Sequence, residues 1–279
     1  MLDLHPLSPE IGAEVRGLSL SASLGRETVQ AIRSALVKYG LLIFPEQALT
    51  EEQHIAFARE FGTPEVHPTR EGGSGHPEIF VIDTADGGPT AEWWHTDMTA
   101  LPAPPMGSIL HMQVVPDRGG DTEWASQTAA YAALPTEIKT RLTDLQAEHQ
   151  AWWDADTRNP HPVVHVHPES GLKSLFVNGI FTQRILGMPE AESQELLEFL
   201  YAHAVDPRFV VRHPWRKGDV AFWDNRSTQH RVHNDFGEAQ RRIHRVTLMG
   251  EAPMGEPLMG EPPMGEPPMG EPAMGEPPV

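Results

Sequence analysis

The sequence contains no cysteine among its 279 residues. Disulfide scaffolds, thiolate metal sites, iron–sulfur clusters and cysteine nucleophiles are therefore excluded, and any metal must be held by nitrogen and oxygen ligands. Positive charge is also scarce, because 21 Lys and Arg stand against 39 Asp and Glu, for a formal net charge of −18. This excess of acidic groups argues against a nucleic-acid-binding surface, which needs clustered Lys and Arg to neutralise phosphates.

Long apolar runs are absent as well. No window approaches the roughly 18 uninterrupted apolar residues of a membrane span, and the opening MLDLHPLSPEIGAEV has neither the basic nor the apolar part of a secretory signal. We therefore expect a soluble, cytoplasmic protein with no membrane partner. A hydrophobic content of 39% is ample for the core of one large domain.

The C-terminal segment is a five-residue repeat that starts at Met249: MGEAP, MGEPL, MGEPP, MGEPP, MGEPA, MGEPP and a final Val279. It has no Lys or Arg, and its regular Gly and Pro interrupt helices and strands. We predict one folded domain over residues 1–248 and a disordered tail over residues 249–279. Deleting residues 254–279 should leave activity and melting temperature unchanged; the alternative is a polyproline-like tail that binds a partner.

The rest of the chain alternates a few amphipathic segments with many short strand-like runs. Helices are predicted over 27–39, 135–149 and 189–203, and after Thr50, which forms a capping-box pattern with Gln53. Strands are predicted at 41–45, 78–83, 107–115, 121–125, 174–178, 208–213, 219–223 and 241–248. Short strands separated by Gly, Pro and Asp turns favour a mainly β fold, a jelly roll or barrel with peripheral helices.

Fifteen histidines make a histidine–carboxylate metal site the first candidate for chemistry. In the segment WHTDM, an extended backbone points His95 and Asp97 to one side, so both can reach one ion. Alone this is weak evidence, since four His-x-acid pairs occur in the sequence and about two are expected by chance. With His230 as the third ligand, the set would be the two-histidine, one-carboxylate arrangement of non-haem Fe(II) oxygenases.

The strand predicted at 241–248 is unusually basic. Its alternation places Arg241 and Arg245 on one face, where two guanidinium groups are costly to bury without anions. They therefore predict either carboxylate or sulfonate ligands or internal Asp and Glu partners, and the strand alone leaves both possibilities open.

Six blocks in this order carry a more specific pattern: WHTDMT, GGDTEW, HPVVHVHPESG, LFVN, GDVAFWDNRSTQH and RRIHRVTL. Together they resemble the taurine dioxygenase (TauD/TfdA) family of Fe(II)/2-oxoglutarate-dependent dioxygenases, from about residue 3 to about residue 250. The resemblance implies a double-stranded β-helix, or jelly-roll, core with Fe(II) held by His95, Asp97 and His230. It also implies that Thr122 and Arg241 bind the distal carboxylate of 2-oxoglutarate, with O2 as the other co-substrate.

The same resemblance implies a small anionic organic substrate, of alkyl sulfonate, alkyl sulfate or aryloxyalkanoate type, which is hydroxylated with release of succinate and CO2. Collapse of the hydroxylated product would then release the anion or a phenol. By the match, Arg245 binds the anionic group, and His67, Arg70 and Phe181 are further candidates for substrate contact. Trp152 and Trp153 either line the pocket or pack its mouth.

Two other functions stay open: hydroxylation of an amino acid or natural-product intermediate, and non-catalytic binding by a jelly-roll protein. Taurine itself is disfavoured because Ala91 stands where taurine enzymes have an amide, and the intact Asp97 disfavours halogenation. Relatives commonly form dimers or tetramers, so the resemblance also implies a homo-oligomer. The remaining clustered histidines are expected to be structural rather than a second metal site: His161, His165, His167, His233 and His244.

Overall fold

The computed structural model describes residues 1–66, 75–86 and 91–255. In these ranges the helices are α1 (Arg26–Tyr39), α2 (Glu51–Arg59), α3 (Gln127–Ala133), α4 (Thr136–Leu142) and α5 (Glu190–Ala204). The strands are β1 (Asp3–Pro6), β2 (Ala13–Arg16), β3 (Leu41–Phe44), β4 (Phe80–Asp83), β5 (Gly107–Val114), β6 (Thr122–Ser126), β7 (Gln146–Gln150), β8 (Arg158–Pro162), β9 (Val164–Val166), β10 (Lys173–Leu175), β11 (Thr182–Ile185), β12 (Val210–His213), β13 (Val220–Asp224), β14 (Thr228–Val232) and β15 (Arg242–Leu248). None of the helices in this part of the chain combines the length and apolar character that crossing a bilayer requires.

The strands form one large sheet and three small ones. The large sheet has the order β1-β2-β3-β13-β5-β15-β4, and it is antiparallel except for the β2–β3 pair. A three-stranded sheet, β12-β6-β14, packs against its inner face, where Trp124 of the small sheet contacts the same apolar cluster as Trp223 of the large one. Two further sheets, β11-β7-β8 and β10-β9, extend the structure. The prediction of a mainly β, jelly-roll fold with peripheral helices is confirmed.

Alternation along the central strands separates two apolar layers. Leu41 and Ile43 of β3 face inward, toward the small sheet, whereas Leu42 and Phe44 face outward and pack with α1 and α2. Every residue of β13 is buried, as expected for a strand covered on both faces. The inner layer is the one into which the candidate active site opens.

Most of the predicted elements are present at the expected places. Gly40 ends α1 in the left-handed region (φ 69°), and its N–H donates to the Leu36 carbonyl at 2.7 Å. Thr50 and Gln53 make the reciprocal hydrogen bonds of a capping box at the start of α2. The α5 prediction is also confirmed within one residue at each end.

The predicted helix over 135–149 is wrong in its second half. Helix α4 ends at Leu142, Asp144 turns the chain with a φ of 60°, and β7 begins at Gln146. The Gln, Ala and Glu of this segment have high helix propensity, but β7 pairs with β8 on one side and β11 on the other. Two ladders of tertiary hydrogen bonds override the local preference, since propensity amounts to only a few tenths of a kcal/mol per residue.

The first tail unit and the start of the second lie on the folded domain. The Met249 N–H donates to the Thr63 carbonyl at 2.9 Å, and the Val166 N–H donates to the Met254 carbonyl at 2.8 Å. Gly250 packs so closely that a Cβ there would overlap the Pro104 carbonyl. Contact with the core therefore continues past the boundary predicted at residue 248, while residues 256–279 lie outside the described ranges.

Candidate active site

His95, Asp97 and His230, here called the metal triad, come together between the two facing sheets. His230 lies on β14, and His95 pairs with it as an isolated antiparallel bridge, with backbone N–H···O distances of 3.1 and 2.8 Å in the two directions. Asp97 follows two residues later, and Met98 then turns the chain with a φ of 54°. The bridge brings together two segments that are far apart in sequence and places their imidazoles side by side, with ring centroids 4.2 Å apart.

The ligand atoms of the triad converge on one point. His95 Nε2 lies 3.7 Å from Asp97 Oδ1, and His230 Nε2 lies 3.9 Å from Asp97 Oδ2. Metal bonds to imidazole and carboxylate are about 2.0–2.2 Å long, so two ligands of one ion are separated by up to about 4 Å. All three atoms lie within 4.8 Å of one another, and no other group of this kind exists within residues 1–66, 75–86 and 91–255.

The protonation of the triad suits a cation. His95 Nδ1 lies 2.8 Å from the Trp93 carbonyl, which accepts the ring N–H and leaves the Nε2 lone pair for a metal. Burial lowers the pKa of His230 to about 3, so this imidazole is neutral at physiological pH. Burial alone would raise the pKa of Asp97, but the Arg245 guanidinium, together with the neighbouring His230 and His95 rings, holds this pKa well below its usual range.

Two atoms of the triad, Asp97 Oδ2 and His230 Nδ1, are buried and have no hydrogen-bond partner among the described residues. Of these, Asp97 Oδ2 belongs to the group of ligand atoms that a metal would bind. A buried carboxylate oxygen without a donor is costly, and coordination to a cation would remove that cost. The residues present therefore fit Fe(II), which nitrogen and oxygen ligands of this set commonly bind.

Arg241 and Thr122 lie next to each other, close to the triad. In the β6–β14 ladder, Trp124 is opposite His230 and Thr122 is opposite Val232. Thr122 therefore lies about 7 Å along β6 from Trp124, the residue that pairs with His230. Arg241 Nε donates to the Gly120 carbonyl at 3.0 Å, and its Nη2 lies 3.4 Å from Thr122 Oγ1.

The Arg241 side chain is a buried cation with no carboxylate in direct contact. It is 3% exposed, and no carboxylate of the described residues lies within 4.0 Å of it; the nearest acidic influence is Asp121, which itself pairs with Arg212 at 2.6 Å. Burial lowers its pKa to about 10, which leaves it protonated. A buried guanidinium in this state is suited to an anionic ligand such as a carboxylate.

Arg245 differs from Arg241 because it has an internal carboxylate partner. Its Nη1 donates to Asp97 Oδ1 at 3.2 Å, and its Nε donates to Thr247 Oγ1 at 3.1 Å. Glu65, which the sequence did not single out, lies near both Arg245 and Asp97. Burial raises the pKa of Glu65, and the nearby Asp97 adds to this, whereas the positive charge of Arg245 opposes it. Arg245 thus has the internal acidic partner that was one of the two alternatives, whereas Arg241, which lies just before β15, has no carboxylate in direct contact among the described residues.

The other predicted substrate residues are placed unevenly. Phe181 is buried in a small apolar cluster with Ala151 and Ala100, and Ala100 is three residues after Asp97 in the sequence. The Trp153 ring packs edge-on against Phe181 at 6.1 Å, and Trp152 is 76% exposed beside it. His67 and Arg70 lie outside the described residues.

The remaining histidines bind protein partners instead of converging on a common point. His161 Nε2 lies 2.9 Å from the Leu101 carbonyl, His165 Nδ1 lies 3.2 Å from the Met254 carbonyl, and His167 Nε2 lies 3.0 Å from Asp224 Oδ2. His233 and His244 lie near Glu123 and Glu51, at 3.1 and 3.5 Å.

Comparisons with known proteins agree with this site. The family described as taurine catabolism dioxygenase TauD, TfdA family matches residues 3–247. An alpha-ketoglutarate-dependent sulfate ester dioxygenase of Pseudomonas putida is 39% identical, with 91% of each chain covered. An alpha-ketoglutarate-dependent 2,4-dichlorophenoxyacetate dioxygenase of Cupriavidus pinatubonensis is 33% identical, with 89% of this chain and 98% of the relative covered. The crystal structure of a taurine dioxygenase from Burkholderia xenovorans has a TM-score of 0.85 and 40% identity, with 91% of each chain covered.

These matches span nearly the whole folded part of the chain and confirm the predicted enzyme class and its cofactors: Fe(II), 2-oxoglutarate and O2. The chain belongs to the TauD/TfdA family of Fe(II)- and 2-oxoglutarate-dependent dioxygenases.

Proposed function

We propose that this dioxygenase oxidises an alkyl sulfate ester at the carbon that bears the ester oxygen. The observation that carries the proposal is that Arg245 contacts Asp97 of the metal triad, while a second buried cation, Arg241, has no carboxylate within 4.0 Å among the described residues. The site thereby offers one guanidinium to the co-substrate and another to an anionic substrate. The sulfate ester dioxygenase relative supports sulfate as the anion.

The side chains would divide the work as follows. His95, Asp97 and His230 would hold Fe(II), and Arg241 and Thr122 would bind the far carboxylate of 2-oxoglutarate. When bound, Fe(II) supplies the activation of O2, coupled to decarboxylation of 2-oxoglutarate to succinate and CO2, that oxidises a C–H bond. Arg245 would orient the sulfate group, keeping the target carbon near the triad, and Phe181 would pack on the alkyl chain.

Hydroxylation at this carbon makes the product unstable. The new hydroxyl and the sulfate oxygen share one carbon, so the C–O bond to sulfate breaks as the hydroxyl oxygen forms a carbonyl. An alkyl sulfate, 2-oxoglutarate and O2 thus give an aldehyde, hydrogen sulfate, succinate and CO2. The hydroxyl proton leaves with the sulfate, and the chain needs no further oxidant.

The charges around Arg245 are compatible with this role. Nη1 and Nε are bonded within the protein, whereas Nη2 has no hydrogen-bond partner in the described ranges. The guanidinium can therefore keep its contact with Asp97 while its remaining N–H groups bind an anion. His67 and Arg70 remain proposed as further contacts, on the family match alone.

We also propose that the protein acts in the cytoplasm as a homo-oligomer, a dimer or tetramer, without a nucleic-acid or membrane partner. The support is the resemblance to relatives and the acidic net charge of −18. Light scattering coupled to size-exclusion chromatography tests the oligomer, and a monomer at micromolar concentration would contradict it.

The test has two steps. Under anaerobic conditions, Fe(II) and 2-oxoglutarate should produce a weak visible charge-transfer band, which His95→Ala should abolish and His165→Ala should preserve. Oxygen-dependent formation of succinate is then screened across alkyl sulfates, alkyl sulfonates, aryloxyalkanoates and amino acids. We expect the highest kcat/KM, with matching release of sulfate, for an alkyl sulfate; a best substrate from another class would overturn the assignment.

A matched pair of variants separates the two arginines. Arg241→Gln should raise the KM for 2-oxoglutarate, whereas Arg245→Gln should raise the KM for the sulfate ester, because each variant removes one cation of the site. The opposite pattern would exchange their proposed roles.

A further inference from the structure

The side-chain amide of Asn225 is hydrogen-bonded to both the N–H and the carbonyl of Asp97. Asn225 follows β13 and is 1% exposed. Its Oδ1 accepts the Asp97 N–H at 2.9 Å, and its Nδ2 donates to the Asp97 carbonyl at 3.1 Å and to the Pro105 carbonyl at 3.0 Å. The partners fix the orientation of the amide, because an N–H group needs the oxygen and the two carbonyls need the nitrogen.

Asp97 needs such a partner because it lies just beyond regular structure. The bridge between His95 and His230 ends two residues before it, and the next residue, Met98, has a φ of 54°. A non-glycine residue in the left-handed region persists only where its surroundings hold it. The amide takes the place of the missing strand ladder, holding both polar groups of the Asp97 backbone.

Asn225 is itself held on a firm base. Its N–H donates to the Met106 carbonyl at 2.9 Å. The preceding residue, Asp224, is fully buried and accepts hydrogen bonds from His167 and Arg226, and Arg226 also pairs with Glu169. This network fixes the turn that carries the amide, so the position of the amide is set before any metal binds.

We infer that Asn225 is a positioning residue, which aims the Asp97 carboxylate at the metal by clamping the backbone of that residue. The inference rests on the proposed role of Asp97 as a ligand. The amide touches neither metal nor substrate, and its neutral charge leaves the electrostatics of the triad unchanged. The effect of the Asn225 amide is geometric: without it, the Asp97 carboxylate would keep its charge but would no longer be held pointing at the metal.

The test compares Asn225 with a matched amide elsewhere in the protein. Gln47 also makes three hydrogen bonds to backbone groups, with Leu20, Leu18 and Pro45, but none to the triad. Asn225→Ala, Asn225→Ser and Gln47→Ala are all neutral changes, so charge is constant. The melting temperature of the metal-free chain and the Kd for Mn(II), measured anaerobically by calorimetry, are determined for each variant and for the unaltered chain.

We expect Asn225→Ala to weaken Mn(II) binding about 10- to 100-fold, as is typical of outer partners of metal ligands, with a smaller loss for Asn225→Ser. Gln47→Ala should lower the melting temperature and leave the Kd within about twofold. The visible spectrum of the Co(II)-loaded chain at saturation should change in the Asn225 variants alone, because it reports ligand geometry. Equal Kd values and spectra in all variants would reduce Asn225 to a structural role and overturn the inference.

A measurement on the unaltered chain covers the case in which Asn225→Ala does not fold. Hydrogen exchange of the metal-free chain should show the Asp97 N–H already protected, because the amide accepts it without metal. Protection that appears only after Mn(II) is added would mean that no clamp exists beforehand, and the inference would fail. If the unaltered chain bound no metal at all, the proposed function would fail instead.

Discussion

Two buried groups of histidines, on opposite sides of the large sheet, show what separates a metal site from packed core. His95 and His230 lie between the sheets with Asp97. His54, His111 and His244, here called the outer histidine cluster, lie on the other face beneath α2. In the outer cluster one ring nitrogen of each of two histidines faces a backbone carbonyl: His54 Nε2 lies 3.1 Å from Ile109 O, and His111 Nε2 lies 3.1 Å from Gln47 O.

Burial and pKa do not distinguish His54 of the outer cluster from His230 of the triad. Burial lowers the pKa of His54 to about 3 and that of His230 to about 3 as well. The difference is the carboxylate. Asp97 lies between the imidazoles of the triad with an oxygen that has no donor, whereas Glu51 lies 3.5 Å from His244 at the edge of the outer cluster. Free ligand atoms that converge, rather than neutral histidines as such, predict a metal.

Removing a triad ligand should have the largest effect. His95→Ala removes one of the three protein ligands of the metal. Loss of a residue that only hydrogen-bonds to a ligand typically lowers metal affinity or activity 10- to 100-fold, so loss of the ligand itself should lower turnover on the order of 1000-fold. Succinate formation measures this, and circular dichroism of the metal-free chain should show an unchanged fold. Activity within tenfold of the unaltered enzyme would break the distinction between the two groups.

The equivalent change in the outer cluster should affect stability instead. His54→Ala leaves a cavity under α2 and an unpaired acceptor, and should lower the free energy of unfolding by about 2–3 kcal/mol. Urea unfolding of the metal-free chain measures the loss, and the Kd for Mn(II) should stay the same. A large loss of metal affinity would show that the outer cluster is coupled to the site.

Local sequence patterns point to the metal triad, but they do not reveal that Asn225 supports Asp97. His95 and Asp97 are two residues apart, so local geometry alone relates them. His230 lies on β14, far away in sequence; it was predicted as the third ligand because a second histidine would complete the ligand set, and the family resemblance implied the same residue. Asn225 stood within a quoted block, WDNRSTQH, but its contact with Asp97 joins backbone and side chain 128 residues apart, which no local pattern encodes.

The helix prediction failed in the complementary way. Residues 146–149 carry a local preference for helix, yet β8 and β11 supply hydrogen bonds on both sides, and a long-range pairing outweighed the local signal. The α2 prediction succeeded because its capping box lies within the segment, and the α5 prediction succeeded because its apolar stripe does.

The pH dependence of stability should separate the histidines further. Because the folded-state pKa of His54 is about 3 and the unfolded value is near 6.5, the unfolded chain binds the extra proton between these limits. Stability therefore falls as pH drops from about 6.5 toward about 3. The metal-free His54→Ala chain should lose stability less steeply, by about 1.4 kcal/mol per pH unit near pH 5, in urea titrations. Parallel curves for the two chains would mean that His54 already takes up its proton in the folded state.

The smallest expected effects, on stability, come from deleting parts of the tail, which contacts His165. His165 Nδ1 faces the Met254 carbonyl, so the cut proposed from the sequence, before residue 254, would remove that partner. We therefore place the neutral deletion at residues 256–279, which should change the melting temperature by less than about 1 °C. Deleting 249–279 removes the hydrogen bonds at Met249 and Met254 and should lower the melting temperature by about 5 °C.

Metal affinity should be equal in the full chain and in both deletion variants if His165 binds only protein. A weaker Kd in the longer deletion alone would show that the first tail unit supports the triad, through Pro104, Pro105 and the Asn225 amide.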